Sequence, residues 1–228
     1  MIDKYKFKSK MIVEAWNPFG RLSEVQRDRL RAFETLLRQF NRGINLISRE
    51  DEPFVEEHHV LHCLALTHRA FPAGATVVDW GTGGGLPSIP LAVAFPQATF
   101  HAVDAVGKKV QAVRAMARRL ELANLQAWHG RAEAWPGVLH YSVSRATAPL
   151  LDLWGWHVRA RRPGAPPAGV DCWRPGLICL KGGDLREEIA SLQHAYPAVE
   201  VETIPLSPLL ARPYFADKYV LAVSEVEP

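Results

Sequence analysis

The chain has 228 residues, of which 48% are hydrophobic and 22% are charged. This length and composition predict one sizeable core with a small addition, and they argue against two independent domains. The net charge of +3 makes the chain mildly basic, which is compatible with an RNA partner but does not require one.

Cysteine content and hydropathy point to a cytoplasmic protein. The three cysteines, Cys63, Cys172 and Cys179, are odd in number and match no zinc-binding spacing, so they are interpreted as reduced thiols. No apolar run resembles a signal peptide, and none approaches the roughly 20 residues needed to cross a membrane.

The first part of the chain predicts helices. Apolar residues recur near helical spacing over 22–40, with Ser23 as the cap and Gly43 at the end. A second helix is predicted over 53–70, opened by Pro53. We therefore predict an N-terminal helical extension over 1–72 and a second unit over 73–228.

From residue 75 onward, predicted strands and helices alternate. Strands are predicted over 75–79, 99–103, 125–128, 140–143, 176–180, 199–204 and 218–223, with helices from about 87 and over 108–122, 150–158 and 185–194. This alternation predicts an α/β fold with a parallel sheet between helices. The short, proline-rich link between the last two strands predicts an antiparallel C-terminal edge. The segment 159–176 predicts a mobile, basic surface loop.

A glycine-rich loop follows the first strand and carries the strongest functional signal. Asp79 precedes Gly81, Gly83 and Gly85, giving an acidic residue followed by G-x-G-x-G. Glycines here let the backbone turn tightly and approach a ligand. The dinucleotide pattern G-x-G-x-x-G fits poorly, because its sixth position holds Leu86 or Ser88. An acid before the loop would also repel a pyrophosphate, whereas it can orient the loop or meet a cationic ligand.

A second acid, Asp104, ends the next predicted strand. A carboxylate there can accept both ribose hydroxyls of an adenosine, a feature shared by NAD and S-adenosylmethionine sites. Alternatively, the glycines form a structural turn and Asp104 caps the next helix. The combination of strand, glycine loop, helix, strand and acid favours a bound adenosyl ligand. The candidate residues for binding it from this segment are Asp79, Gly81, Gly83, Gly85 and Asp104.

Several motifs together resemble the RsmG family, also called glucose-inhibited division protein B, from about Phe33 to the C-terminus. The most specific is Asp79-Trp-Gly-Thr-Gly-Gly-Gly-Leu-Pro-Ser-Ile-Pro-Leu-Ala92; others are Asn45-Leu46, His59, Asp104 with Lys108-Lys109, Gly130-Arg-Ala-Glu133, Ser144-Arg-Ala146 and Leu180-Lys-Gly182. The sequence departs from the family pattern at His62, where an Asp is usual, and at Ser88, where a glycine is usual.

The resemblance implies a fold and an activity. The fold is the class I S-adenosylmethionine-dependent methyltransferase fold, Rossmann-like, with a mostly parallel seven-stranded sheet and an antiparallel C-terminal edge. The activity is methyl transfer from S-adenosylmethionine to guanine N7 in 16S ribosomal RNA. The implied partner is 16S rRNA or the small-subunit particle. No obligate protein partner is predicted, and a monomer is expected because nothing in the sequence argues against one.

The resemblance also implies residue roles. Gly81 and Leu86 would contact the cofactor, Asp104 would hold its ribose, and Ala132 and Glu133 would lie beside the adenine. Arg145 would lie at the mouth of the site, near the methionine end of the cofactor or the RNA. Guanine N7 carries a lone pair and no proton, so the reaction needs alignment rather than a general base. Arg145 is therefore expected to position a reactant, through a phosphate, guanine O6 or the cofactor carboxylate.

Candidate RNA contacts come from basic residues. The set comprises His59, Arg159, Arg161, Arg162 and Lys181, together with Arg114, Arg118 and Arg119 on one helix and the lysines between Lys4 and Lys10. A solvated surface is the alternative for the helix arginines. Trp80, Phe95 or Trp128 could stack on a base, although core packing is the simpler interpretation.

Other functions remain open from the sequence. The chain could methylate another RNA site or a small molecule, or it could be a non-catalytic RNA-binding or assembly factor with a relic cofactor pocket. A nicotinamide-dependent oxidoreductase is a further alternative. His59 and His62 have a spacing that can bind a metal, but no further ligand is evident and none is predicted.

Overall fold

A computed structural model describes residues 16–145, 147–162, 164, 169 and 171–226. The predicted RNA-facing lysines between Lys4 and Lys10 lie outside the described residues.

Helix α1 spans Glu24–Asn41 and begins where the sequence predicts. The Ser23 hydroxyl accepts from the Gln26 amide and the Gln26 side chain accepts from the Ser23 amide, which forms a capping box. The buried face presents Leu30, Phe33 and Leu37 to the core. Gln26 also donates to the carbonyl of Val93, which ties α1 to the helix after the glycine loop.

The second predicted helix is helical but irregular. It consists of a 3-10 turn at Glu52–Phe54, a π-helical segment at Val55–Leu61, helix α2 at His62–Leu64 and a 3-10 turn at Ala65–His68. The prediction of one regular helix is therefore wrong in detail. A π-helical segment rotates side chains out of α-helical register, and such segments are frequent at functional sites.

Seven strands form one sheet in the order β3-β2-β1-β4-β5-β7-β6. Their bounds are Thr76–Trp80, Thr99–Asp104, Leu125–His129, Tyr141–Arg145, Gly176–Gly182, Val199–Pro205 and Lys218–Glu225, for β1 to β7. Strands β1 to β5 pair in parallel, whereas β7 is antiparallel to both β5 and β6. The predicted antiparallel C-terminal edge is confirmed.

The remaining helices connect these strands. Helix α3 spans Ser88–Ala94, α4 Gly107–Arg119, α5 Leu150–Ala160, α6 Arg186–Ala195 and α7 Leu206–Leu210. Helix α4 ends three residues earlier than predicted, near Glu121, which has a positive φ of 55°. Within the described ranges, no helix is both long and apolar enough to cross a membrane.

The N-terminal helices share a hydrophobic core with the sheet. Leu30, Phe33 and Leu37 of α1 belong to the same buried cluster as Val77 of β1 and Tyr141 of β4. A second cluster, on the other side, includes Trp80, Trp135 and Trp154. Burying apolar surface on both faces explains the near-continuous apolar character of the parallel strands.

The prediction of a mobile loop over 159–176 is wrong at both ends, because α5 continues to Ala160 and the last part of the segment is anchored; residues 163, 165–168 and 170 lie outside the described residues. Trp173 is buried, its indole N–H donates to the Leu66 carbonyl at 2.9 Å, and its own carbonyl accepts from the Tyr141 hydroxyl at 3.2 Å. Cys172 forms a parallel bridge with Ala70. This part of the segment is therefore anchored to the N-terminal helices by a buried aromatic residue.

Candidate active site

The main cavity opens at the sheet edge where the parallel strands end. Its volume is about 870 Å³, within the range of small-molecule sites. Strand β1 lies here between β2 and β4, whose connections run to opposite sides, and ligands bind α/β sheets at such switch points. Because β7 runs antiparallel, its first residue, Lys218, lies beside Gly182 at the same edge.

One wall of the cavity comes from the loops after β1, β2 and β3. We call it the glycine-loop wall; it comprises Gly81, Thr82, Gly83, Gly84, Leu86, Asp104, Ala132 and Glu133. Gly81 has φ +70°, and a Cβ there would lie 1.9 Å from Thr147 Cγ2. Gly83 has φ +54°, and the nearest atom to an added Cβ is 4.0 Å away. The first glycine is thus required for packing, while the second leaves its backbone open to the cavity.

Asp104 ties the glycine loop to the start of α4. One carboxylate oxygen accepts from the Gly83 amide at 2.9 Å and the other from the Val106 amide at 2.8 Å. The residue is 7% exposed and lines the cavity. The predicted helix-capping alternative and a ligand-facing position are therefore compatible, because a carboxylate has lone pairs for both.

Two residues predicted to bind the cofactor lie behind the wall instead. Asp79 is 1% exposed, does not line the cavity, and accepts from the Ser88 amide at 3.1 Å. It supports the turn into α3, and its burial raises its pKa to about 6. Gly85 does not line the cavity either; its φ is +84° and an added Cβ would meet Ile89 Cδ1 at 2.4 Å. The geometry favours loop orientation, one of the two roles that the sequence left open for Asp79, and a packing role for Gly85; contact of either residue with a cofactor stays a prediction.

Ala132 and Glu133, which the resemblance places beside the adenine of the cofactor, line the cavity as part of the glycine-loop wall. Helix α5 holds them in place. The Trp156 indole N–H donates to Glu133 Oε1 at 3.1 Å, and the Arg159 guanidinium donates to the Ala132 carbonyl. Trp156 also lines the cavity, and its contribution was not predicted.

A second part of the cavity lining draws on distant parts of the chain. We call it the histidine wall; it comprises Asp51, His59, His62, Arg145, Lys181, Tyr214 and Lys218. Its centre is a contact between Arg145 Nη1 and His59 Nδ1 at 2.6 Å, in which the guanidinium donates. Burial and the Arg145 charge lower the pKa of His59 to about 3, so its imidazole is neutral at pH 7. His59 is 5% exposed and therefore positions Arg145 rather than presenting a charge to RNA.

The structure explains one departure from the RsmG pattern, at Ser88, and shows where the other, His62, packs. The Ser88 hydroxyl is buried and bonds to the Thr82 hydroxyl at 2.7 Å, so its polar atom is satisfied inside the glycine loop. His62 is buried with its ring edge-on to Phe215, at a centroid distance of 5.5 Å. Burial lowers the pKa of His62, so a neutral aromatic ring replaces the usual acid.

An aromatic column carries the outer part of the histidine wall. The rings of Phe54, His58 and Tyr214 stack, with centroids 4.7 Å and 3.6 Å apart. Lys218 Nζ lies 4.2 Å from the Tyr214 ring centroid, within cation–π range. His58 Nδ1 lies 2.8 Å from Asp51 Oδ1, so the column also orients this carboxylate.

The predicted RNA-binding cations do not form one surface. Lys181 lines the cavity but is held by Glu188 Oε1 at 2.6 Å and the Ala148 carbonyl at 2.8 Å. Arg161 pairs with Glu225, and the Arg162 amide donates to the Leu139 carbonyl just before β4. Helix α5 runs back across the sheet, so Arg161 and Arg162 lie at the edge opposite the cavity. They cannot contact a reacting base there.

The other aromatic and basic candidates also have structural roles. Trp80 and Phe95 are buried in the core, and Trp128 packs over Gly130. On α4, Arg114 donates to the Ala127 carbonyl and Arg119 lies over the Phe40 ring. Core packing thus explains the aromatic residues. Within the described ranges, no cluster of three or more acidic, His or Cys side chains could hold a metal.

Several cavity residues were missed from the sequence. They are Asp51, Thr82, Trp156, Tyr214 and Lys218. Thr82 could have been found, because it lies between two glycines of the recognised loop. The others lie outside the glycine loop, and chain folding alone brings them to this edge.

Comparison with known proteins gives the same fold. A methyltransferase structure from Aquifex aeolicus, described as S-adenosylmethionine-dependent, matches with a TM-score of 0.54 and 16% identity, covering 77% of this chain and 95% of that one. A fibrillarin structure from Aeropyrum pernix matches with a TM-score of 0.51 and 11% identity, covering 72% of this chain and 74% of that one. The class I, Rossmann-like methyltransferase fold is therefore confirmed.

Sequence comparison gives the family. The model of the GidB family, described as rRNA small subunit methyltransferase G, matches residues 26–203. Ribosomal RNA small subunit methyltransferase G of Salinibacter ruber is 54% identical over 210 residues, which cover 92% of this chain and 97% of that one. The protein of that name from Bacteroides fragilis (strain ATCC 25285) is 42% identical, covering 77% and 84%. The chain belongs to the GidB family, the rRNA small subunit methyltransferases G.

Proposed function

We propose that this chain transfers a methyl group from S-adenosylmethionine to N7 of a guanine in 16S rRNA of the small ribosomal subunit. The observation that carries the proposal is one cavity, in a chain of this family, that joins a glycine loop and Asp104 to Arg145. The glycine loop and Asp104 suit an adenosyl ligand, and Arg145 lines the rest of the cavity.

The residues of the glycine-loop wall fit S-adenosylmethionine. The backbone at Gly83 is open to the cavity, so a ligand can approach where a side chain would otherwise project. Asp104 would hold the ribose hydroxyls, and Ala132 and Glu133 would lie beside the adenine. Gly81 and Leu86 would contact the ligand from the loop. Asp79 keeps the loop in place from behind.

The reaction needs alignment rather than proton removal. When bound, S-adenosylmethionine supplies a methyl group on a cationic sulfur; the guanine N7 lone pair forms the new bond while the carbon–sulfur electron pair stays on sulfur. His59 is unsuited to act as a base, because its Nδ1 accepts from Arg145 and its pKa is lowered to about 3. Arg145 is instead fixed by His59 and the His58 carbonyl, at 3.4 Å, and would position a reactant.

The state of the cysteines argues against methylation of a carbon atom by a mechanism that uses a cysteine nucleophile. Burial raises the pKa of Cys63 and of Cys179 to about 12, so both remain protonated and unreactive. Cys172 lies beside Ala70, away from the residues that line the cavity. A base atom with a free lone pair, such as guanine N7, suits this site better.

The test is methyl transfer from labelled S-adenosylmethionine to unmodified small-subunit particles, with free 16S RNA alongside, followed by mapping of the label. We expect label at N7 of one guanine. No label on either substrate would overturn the proposal, provided that S-adenosylhomocysteine stabilises the chain. A ligand at about 100 times its dissociation constant should add roughly 2.7 kcal/mol of stability.

A ribosomal substrate would also place the protein in the cytoplasm, as its sequence predicts. The monomeric state stays a prediction. A relic-pocket assembly factor would bind S-adenosylhomocysteine without transferring label, which the same experiment distinguishes.

A further inference from the structure

Among the described residues, three acidic side chains line the cavity, and two of them belong to the glycine-loop wall. Asp104 is bonded to the Gly83 and Val106 amides, and Glu133 to the Trp156 indole. The third, Asp51, lies on the histidine wall together with His59 and Arg145. With the methyl donor on the glycine-loop wall, as proposed above, Asp51 is the acidic residue of the histidine wall that a methyl acceptor in the cavity can contact.

Asp51 is held in one orientation but remains accessible. Its Oδ1 lies 2.8 Å from His58 Nδ1, and its Oδ2 accepts from the Ser48 hydroxyl at 2.9 Å. The side chain is nevertheless 37% exposed and lines the cavity. Each carboxylate oxygen has two lone pairs, so both oxygens can accept one more hydrogen bond. The hydrogen bond from His58 lowers the pKa of Asp51, which keeps the carboxylate charged at neutral pH.

A charged, bidentate acceptor matches one nucleobase edge best. Guanine presents two adjacent donors on its Watson–Crick edge, N1–H and the N2 amino group, whereas adenine presents a donor beside an acceptor. N7 lies on the other edge of the base. Contact at N1 and N2 therefore leaves N7 free, which a bidentate arginine on O6 and N7 would not.

We propose that Asp51 is a specificity-determining residue that accepts hydrogen bonds from N1–H and the N2 amino group of the target guanine. This inference rests on the proposed function, because it concerns the acceptor of the same methyl transfer. His58 and Ser48 position the carboxylate, and Arg145 and Lys218 are the nearby cations on the same wall that can meet guanine O6.

The same contact would accelerate the reaction. Methylation at N7 gives the guanine ring a positive charge, which makes N1–H and the amino hydrogens better donors. A carboxylate facing them interacts more strongly with the transition state than with the neutral base. Asp51 would therefore affect the rate of methyl transfer at saturating substrate as well as the choice of base.

The test pairs Asp51→Asn with inosine in place of the mapped target guanine. Inosine keeps N1–H, O6 and N7 but lacks the N2 amino group. Small-subunit RNA carrying either base is reconstituted into particles, and single-turnover methyl transfer is measured. Glu50→Gln is the matched control, since it removes one exposed negative charge next to Asp51 without touching the cavity lining.

We expect Asp51→Asn to slow methyl transfer to guanine by roughly 10- to 100-fold, with unchanged affinity for S-adenosylhomocysteine and unchanged thermal stability. Replacing guanine by inosine should slow the wild type and Glu50→Gln at least about tenfold, but Asp51→Asn by less than about threefold.

An equal inosine penalty in the wild type and in Asp51→Asn would overturn the inference, as would full activity of Asp51→Asn on guanine. Either result leaves the proposed function standing, because the wild type still methylates guanine N7. Absence of N7 methylation by the wild type would instead overturn the proposed function, and this inference with it.

Discussion

The two walls of the cavity are built from different materials. The glycine-loop wall offers backbone amides, small residues and the carboxylate of Asp104, contributed by three loops that follow adjacent parallel strands. The histidine wall offers charged or aromatic side chains that come from the π-helical segment and the residues on either side of it, from the ends of β4 and β5, and from Tyr214 and the start of β7. Backbone groups stay the same when side chains change, so a wall made of them suits a ligand that related enzymes share, such as the methyl donor. A wall of side chains can be changed residue by residue, which suits recognition of a particular acceptor.

Substitution of Gly81 should have the largest effect on the glycine-loop wall. In Gly81→Ala the new Cβ would overlap Thr147, and the φ of +70° is unfavourable for alanine. The loop must move, and we expect the affinity for S-adenosylhomocysteine to fall at least roughly 100-fold, about 2.7 kcal/mol. Isothermal titration calorimetry measures it.

Gly74→Ala is the matched control for that substitution. Gly74 has φ +76° but no atom lies within 4 Å of an added Cβ. This variant should lose only about 1–2 kcal/mol of stability from the left-handed backbone and bind the ligand normally. Equal affinities of both variants would show that the Thr147 contact does not shape the loop.

The contributions of Asp79 and His59 to the free energy of unfolding should change with pH in opposite directions. Behind the glycine-loop wall, burial raises the pKa of Asp79 to about 6 in the folded state, above its value in the unfolded chain. The stability that this group contributes is present at low pH and is lost as pH rises through 6. Relative to Asp79→Asn, the wild type should lose roughly 2 kcal/mol of unfolding free energy between pH 4 and 8.

On the histidine wall, the folded pKa of His59 is lowered to about 3, below its unfolded value near 6.5. Its contribution is present above pH 6.5 and is lost as pH falls. Relative to His59→Gln, which keeps an acceptor for Arg145, the wild type should lose about 2 kcal/mol between pH 7 and 5. Urea unfolding at each pH measures both differences; slopes of the same sign would contradict the burial of one of the two groups.

The smallest effect on ligand affinity is expected for Trp156, which holds Glu133 of the glycine-loop wall in place. Trp156→Phe removes the indole donor to Glu133 but keeps an aromatic ring. We expect the affinity for S-adenosylhomocysteine to fall about two- to fivefold, the usual net contribution of one hydrogen bond. Single-turnover methyl transfer at saturating cofactor should be unchanged. A loss of rate at saturation would show that Trp156 also serves the acceptor side.

The same contrast explains what could be predicted from the sequence. The strands, α1 with its Ser23 cap, the glycine loop and Asp104 are encoded by local patterns, and the structure places them where they were predicted. Asp79 and Gly85 belong to the same motif, but a motif does not reveal which members face the ligand and which support the turn. Tyr214 and Lys218 reach His58, the partner of Asp51, only through long-range folding. The direction of α5 carries Arg161 and Arg162 to the far edge of the sheet, which the sequence pattern of that segment does not reveal.

The most direct test of this division is the single-turnover rate of methyl transfer to small-subunit particles as a function of S-adenosylmethionine concentration, in Asp104→Asn and Arg145→Gln. Asp104→Asn replaces one acceptor oxygen of the glycine-loop wall, so this variant should bind S-adenosylmethionine roughly 10- to 100-fold more weakly. Its rate of methyl transfer should return to the wild-type value at a saturating concentration of S-adenosylmethionine. Arg145→Gln changes the histidine wall, so its rate should stay at least about tenfold low at saturation. Rescue of both variants, or of neither, would contradict the assignment of one wall to the cofactor and the other to the guanine.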